Sequence, residues 1–205
     1  MPRLRPDTQR ARRDHILEAA RTCFTRNGFH RTTIQDICRE AELSPGALYV
    51  YFDSKEALIA GICERDRAEF VERFAELEAA PDLMSALRAI GETYFVDDPP
   101  DKHRFEIEMG IEATRNPRIA EVYTPVDEFC LKSFESLFRR LEQEGRIAPK
   151  VDVATLATVF KCIGDGIFWR HATDPKFDAK SVLPVMTELI ASMLRPVSTN
   201  REAAQ

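Results

Sequence analysis

Between positions 33 and 54 the chain starts three helices, and this crowding constrains the fold more than any other feature. Thr33 with Asp36 is a capping-box pattern: the hydroxyl accepts from a backbone N–H of the first turn, and the carboxylate reaches back to the cap. Ser44-Pro45 places a hydroxyl cap before a proline, whose fixed φ and missing N–H suit the first helical position. Ser54-Lys55-Glu56 is the third start. Each of the first two helices is therefore short. The first carries Ile34, Ile37, Cys38 and Ala41 on one face, Leu43 bridges, and the second covers about 45–51. Helix, tight turn, helix is the arrangement that seats one helix in a DNA major groove.

The flanks read with helical period, and strand signals are nearly absent, so the expected class is all-α. Residues 10–27 place Ile16, Leu17, Ala20, Cys23 and Phe24 together, and Asn27-Gly28 supplies a stop. Longer helices are expected over about 54–78 and 82–96. The segment from His103 to Arg115 alternates Phe105, Ile107, Met109 and Ile111 with period two; it is read as helix because no partner strand is visible. Asn116-Pro117 restarts a helix to about Glu144, bent at Pro125 and ended by Gly145. Asp152 caps a helix through His171, and Asp178 caps the last, to about Leu194. The expected organisation is a helix-turn-helix DNA-binding domain (1–55), a ligand-binding and dimerisation domain (56–195) and a frayed tail (196–205).

Charge is divided along the same line. Residues 1–55 hold ten Lys/Arg against seven Asp/Glu, whereas the whole chain of 205 residues has a net charge of −5. A basic end on an acidic remainder is expected of a DNA-binding head with another kind of partner elsewhere. Arg3, Arg5, Arg10, Arg12 and Arg13 form either an arm reaching phosphate or minor groove, or a solvated tail. No apolar run is long enough to span a bilayer and the N-terminus lacks a secretory pattern, so a cytoplasmic protein without membrane contact is expected. The five cysteines (Cys23, Cys38, Cys63, Cys130, Cys162) have no C-x-x-C spacing, which argues against a disulfide framework or a zinc site. Nucleophile-elbow, Walker, zincin and dinucleotide motifs are missing. His103 and Glu106 occur once, in the reverse of the metal-carboxylate order. No enzyme activity, cofactor or metal is expected.

The run Thr32-Thr33-Ile34-Gln35-Asp36-Ile37-Cys38 through Ser44-Pro45-Gly46-Ala47-Leu48-Tyr49-Val50-Tyr51-Phe52-Asp53-Ser54-Lys55-Glu56-Ala57-Leu58 closely resembles the DNA-binding domain of the TetR family of bacterial repressors. The likeness runs from Arg12 to Ile59, about a quarter of the chain. Gly164-Asp165-Gly166-Ile167-Phe168-Trp169-Arg170, with Asp174-Pro175 and Phe177-Asp178, is similar to a C-terminal type within that family. One departure lies in the turn, where the family usually has glycine and this chain has Glu42. The resemblance implies a dimer that binds double-stranded DNA and is released by a small-molecule effector. It also implies DNA contacts at Thr33, Ser44, Tyr49, Tyr51 and Lys55, with Gln35 and Ala47 as base readers.

Residue chemistry points the same way. Pro45, Gly46 and Ala47 leave little bulk at the front of the short helix, so its backbone can approach base edges closely. Tyr49 and Tyr51 stand off the face of Leu48 and Phe52, and their hydroxyls can donate to phosphate. Lys55, a cation at a helix start, opposes the macrodipole and suits a phosphate. Candidate effector-lining groups are Phe70, Leu87, Tyr94, Phe105, Met109, Phe129, Phe134, Phe160 and Trp169, with Glu108, Glu112 or Cys162 as polar anchors; ordinary core is the alternative for each. The last two helices form an antiparallel pair, as in the family's homodimer interface, with Gly164, Gly166, Ala154 and Ala157 permitting close approach or intramolecular packing. A thiol switch at one of the cysteines is the rival to a ligand switch.

Overall fold

The computed structural model describes residues 6–197; Arg3 and Arg5 of the leader, and residues 198–205 of the tail, lie outside them. Among the described residues nine α-helices follow in order: α1 (Pro6–Arg31), α2 (Ile34–Glu40), α3 (Pro45–Tyr49), α4 (Lys55–Ala79), α5 (Leu83–Glu92), α6 (Pro100–Ala113), α7 (Pro117–Gln143), α8 (Val153–Thr173) and α9 (Ala179–Leu194). A π-helical turn, Thr93–Asp97, follows α5. Among the described residues no strand forms, apart from one isolated bridge between Ile147 and Pro196. No described helix is long and apolar enough to cross a membrane.

Most starts lie where side-chain caps put them, because a cap satisfies N–H groups that no helical carbonyl can reach. Thr33, Ser44, Asp82, Asp152 and Asp178 each accept from a backbone N–H in the following turn. Gly28 (φ 75°, ψ 167°) breaks regular helix geometry at the stop expected after Asn27. The segment with period-two alternation is helical, as α6.

The described chain divides into two compact units. The first runs to Glu69 and includes Pro99–Val126. Its core joins Ile16, Leu17, Ala20 and Phe24 of α1 to Ile37 and Cys38 of α2, Leu48 of α3, Leu58 and Ile62 of α4, and Phe105 and Met109 of α6. Arg21 of α1 pairs with Asp66 of α4 inside it, both side chains largely shielded from solvent.

The second unit comprises Phe70–Asp98 and Asp127 onward. Its core combines Phe70, Phe74 and Leu77 of α4, Leu83 and Leu87 of α5, Leu137, Phe138 and Leu141 of α7, Leu156 of α8, and Leu183, Met186 and Ile190 of α9. Gly91 lets α5 meet α9: a Cβ there would lie 2.9 Å from Leu183 Cδ1. The tail begins pinned rather than frayed, because Val197 N–H donates to the Arg146 carbonyl (2.8 Å). The divisions fall inside α4 and inside α7, the latter just after Pro125, so both helices supply residues to each unit.

Candidate nucleic-acid interface and effector site

The turn between α2 and α3 is built from local bonds. Thr33 Oγ1 accepts from Asp36 N–H (3.1 Å) and donates to Asp36 Oδ2 (2.6 Å), while Thr33 N–H donates to the same carboxylate oxygen (3.0 Å). These bonds hold the Asp36 carboxyl below its usual pKa, with help from Arg39. At the other end of α2, Leu43 N–H reaches the Cys38 carbonyl (2.8 Å) and Glu42 N–H reaches that of Arg39 (3.3 Å), the paired bonds of a Schellman stop. That geometry needs a left-handed residue, and Glu42 supplies it at φ 52°. Ser44 Oγ then accepts from Ala47 N–H (3.3 Å) and opens α3.

Leu48 and Phe52 are buried, which turns the opposite side of α3 outward. Pro45, Gly46 and Tyr49 are exposed there, with Ser44 beside them and Ala47 and Tyr51 half-buried; Thr33 and Gln35 are exposed on the approach to and start of α2. Eight of the nine candidate DNA-contact residues thus lie on or beside these two helices. Val50, next to Tyr49, was not singled out in the sequence, although a valine beside two tyrosines on a recognition helix was the available signal; it is 79% exposed.

Lys55 is the ninth, and its ammonium is already engaged. Nζ donates to the carbonyls of Phe29 (2.6 Å) and Thr32 (2.9 Å) and lies 4.3 Å from the Phe29 ring centroid. Burial pushes its pKa down, against the pull of Glu56 and Glu112. Its cation complements the carbonyl end of α1, which sequence spacing along α4 alone does not reveal. Thr32 Oγ1 donates to the Gly28 carbonyl (2.8 Å) and fixes the same turn.

Two carboxylates of α6 complete that corner. Glu108 Oε1 accepts from Phe29 N–H (3.4 Å), and a Cβ on Gly28 would lie 2.9 Å from it. Glu112, fully buried, accepts from Arg115 (2.8 Å) and Asn116 (3.1 Å) and faces His30 Nε2 at 3.0 Å. Burial pushes the Glu112 carboxyl up, but those hydrogen bonds and nearby charges outweigh it and leave it below the usual range. Arg10, Arg12 and Arg13 belong to α1 rather than to a loose arm; Arg13 pairs with Glu64 (2.8 Å) over the Phe52 ring.

The structure separates the effector-lining candidates. Phe70, Phe129 and Phe160 meet around Phe134 in the second unit: Phe70 stands 6.0 Å from both Phe129 and Phe134, and Phe160 is 4.7 Å from Phe134. Leu87 shares their core, and Tyr94 packs against it beneath the Arg73 guanidinium (4.6 Å). Arg73 is paired through both terminal nitrogens with Asp98 (3.0 and 3.1 Å). Phe105, Glu108 and Met109 belong instead to the first unit, where Phe105 packs on Phe24 and Glu108 serves the end of α1. Trp169 faces outward at 49% exposure. Phe74 and Phe138 were missed; their spacing of four from Phe70 and Phe134 was the available signal.

Outward-facing residues of α8 recur at heptad spacing: Thr155, Val159, Cys162, Gly166, Trp169 and Thr173. Val182, Val185 and Leu189 do the same on α9. Of the small residues noted for close approach, Ala157 is buried and Gly164 faces Phe95, whereas Ala154 and Gly166 are exposed. Cys23, Cys38 and Cys63 are buried, which raises each thiol, Cys63 to about 12. That is the reverse of what a reactive thiol needs. Among the described residues no cluster of three metal-ligating side chains occurs.

Two family models match the chain. "Bacterial regulatory proteins, tetR family" covers residues 16–62, and "BetI-type transcriptional repressor, C-terminal" covers 84–195. The HTH-type transcriptional regulator UidR of Escherichia coli K12 is 30% identical over 146 residues, 69% of this chain and 72% of the relative. The solved structure of Salmonella enterica GusR has a TM-score of 0.76 and 28% identity, covering 90% of this chain and 96% of that one. FadR of Bacillus subtilis, solved with stearoyl-CoA, has a TM-score of 0.75 at 20% identity, covering 87% and 97%, and shares the fold.

Proposed function

The chain belongs to the TetR family of bacterial transcriptional regulators, and on that premise we propose that it is a ligand-released repressor of the cytoplasm. A homodimer binds a two-fold operator through α2 and α3, and an effector in the second unit shifts the two heads away from operator spacing. The observation that carries this reading is the outward face of α3. Its inner face is anchored by Leu48 and Phe52, while Pro45, Gly46 and Tyr49 are turned to solvent behind a fully capped turn.

Val159 and Trp169 in the outward row of α8, with Val182, Val185 and Leu189 on α9, support self-association, since exposed apolar groups clustered on one face mark interfaces. A two-fold head pair needs such a dimer. The Phe70–Phe129–Phe134–Phe160 cluster supports an effector with a substantial apolar part. The proposed division into a DNA-binding head (1–55) and a ligand-binding and dimerisation body (56–195) follows from these roles.

The test is binding of the purified protein to duplex DNA from upstream of its own gene, titrated with salt beside a scrambled duplex. Specific binding that weakens steeply with salt, at a stoichiometry of two chains per duplex site, is the expected result. Equal affinity for both duplexes would overturn the assignment.

A further inference from the structure

We infer that Val50 reads a thymine of the bound operator, its γ-methyls and the bare backbone of Gly46 forming a notch for the C5-methyl group of that base. The inference rests on the DNA-binding reading above and specifies what α3 recognises.

Val50 is the most exposed large apolar side chain among the described residues, at 79%. Its backbone (φ −66°, ψ −26°) prolongs α3 by one residue, so it stands one turn beyond Gly46 on the same face. Helical side chains lean toward the N-terminus, which carries the isopropyl group over the Gly46 turn. A β-branched side chain is stiff in a helix, so its methyls are held in place before any ligand arrives.

Gly46 is the second observation. A Cβ there would meet nothing within 4 Å, and its φ is not in the left-handed region. Alanine would stabilise a helix at this position, and nothing inside the chain forbids it. The missing Cβ therefore serves a surface that approaches from outside.

Two polar groups nearby are committed inside the chain: the Thr33 hydroxyl donates to Asp36, and two of the three Lys55 donors are taken by α1 carbonyls. Along the row of Gly46 and Val50 itself, apolar contact is what α3 offers. In the major groove thymine alone presents a methyl group, so an apolar notch distinguishes it from the other bases. Tyr49, 53% exposed beside Val50, is placed to hold register through a phosphate.

Duplexes enriched by the wild-type protein from a random library supply the probe. Each thymine is replaced singly by deoxyuridine, which removes only the methyl group, and affinity is measured for wild type, Val50→Ala and Gly46→Ala. At one thymine per half-site the replacement should weaken wild-type binding about three- to fivefold and leave Val50→Ala unaffected. Gly46→Ala should be at least as thermally stable as the wild type and still lose at least as much affinity for the thymine duplex. If every deoxyuridine affects Val50→Ala as it affects wild type, or Gly46→Ala binds like wild type, the inference fails while the regulator stands. If no sequence is enriched at all, the DNA-binding reading fails and takes the inference with it.

Discussion

Glu42 holds a conformation that its side chain disfavours. The Schellman stop of α2 places it at φ 52°, where a Cβ crowds the backbone at about 1 kcal/mol. Glu42→Gly should therefore raise the unfolding free energy by about that amount, read as a higher urea midpoint at unchanged slope. Lys55 and Tyr49, both read from sequence as DNA contacts, separate under mutation. Lys55→Met strips the Phe29 and Thr32 carbonyls of their donor and should cost about 1–3 kcal/mol of stability. Tyr49→Ala removes a half-exposed ring and should leave the midpoint within about 0.5 kcal/mol while weakening operator binding tenfold or more. Sequence logic noticed that a lysine at a helix start needs an anion. It could not see that carbonyls 23 and 26 residues upstream meet the need, because a long-range fold brings them there.

At the scale of elements, what is local was legible. Thr33 with Asp36, Ser44 with Pro45, and Asp152 and Asp178 each start a helix within one turn of themselves, and all four helices begin where those residues put them. Membership of a core is not local. Phe105 and Met109 carry no mark that sends them to Phe24 in the first unit rather than to Phe134 in the second. The placement of α6 decides it, and with it the roles of Glu108 and Glu112. Glu112 makes that placement pH-dependent. Its folded pKa lies below the ordinary glutamate value, so its stabilisation is complete at neutral pH and is lost as pH falls through the folded value. Glu112→Gln should lower the urea midpoint at pH 7, and the gap to wild type should narrow as pH falls below the ordinary glutamate range.

For the whole molecule, the proposed dimer rests on the outward rows of α8 and α9. Trp169→Asp together with Leu189→Asp should halve the mass in analytical ultracentrifugation, leave helix content intact, and weaken operator binding more than a hundredfold because paired heads are lost. A dimer that survives both changes would place the interface elsewhere. α4 and α7 each carry residues of both units: α4 begins with Lys55 at the end of α1 and continues to Phe70 and Phe74, and α7 reaches Phe129 and Phe134 past Pro125. On the proposed function, an effector that displaces the phenylalanine cluster acts on helices whose other ends belong to the first unit.

The open surroundings of Gly46 and the exposure of Val50 also bear on how such a regulator diverges. Neither position belongs to the buried core, so either can drift without a compensating change there. If these two sites read the operator as inferred above, a copy made by gene duplication can be recoded for new promoters through them without losing its parent's thermal tolerance.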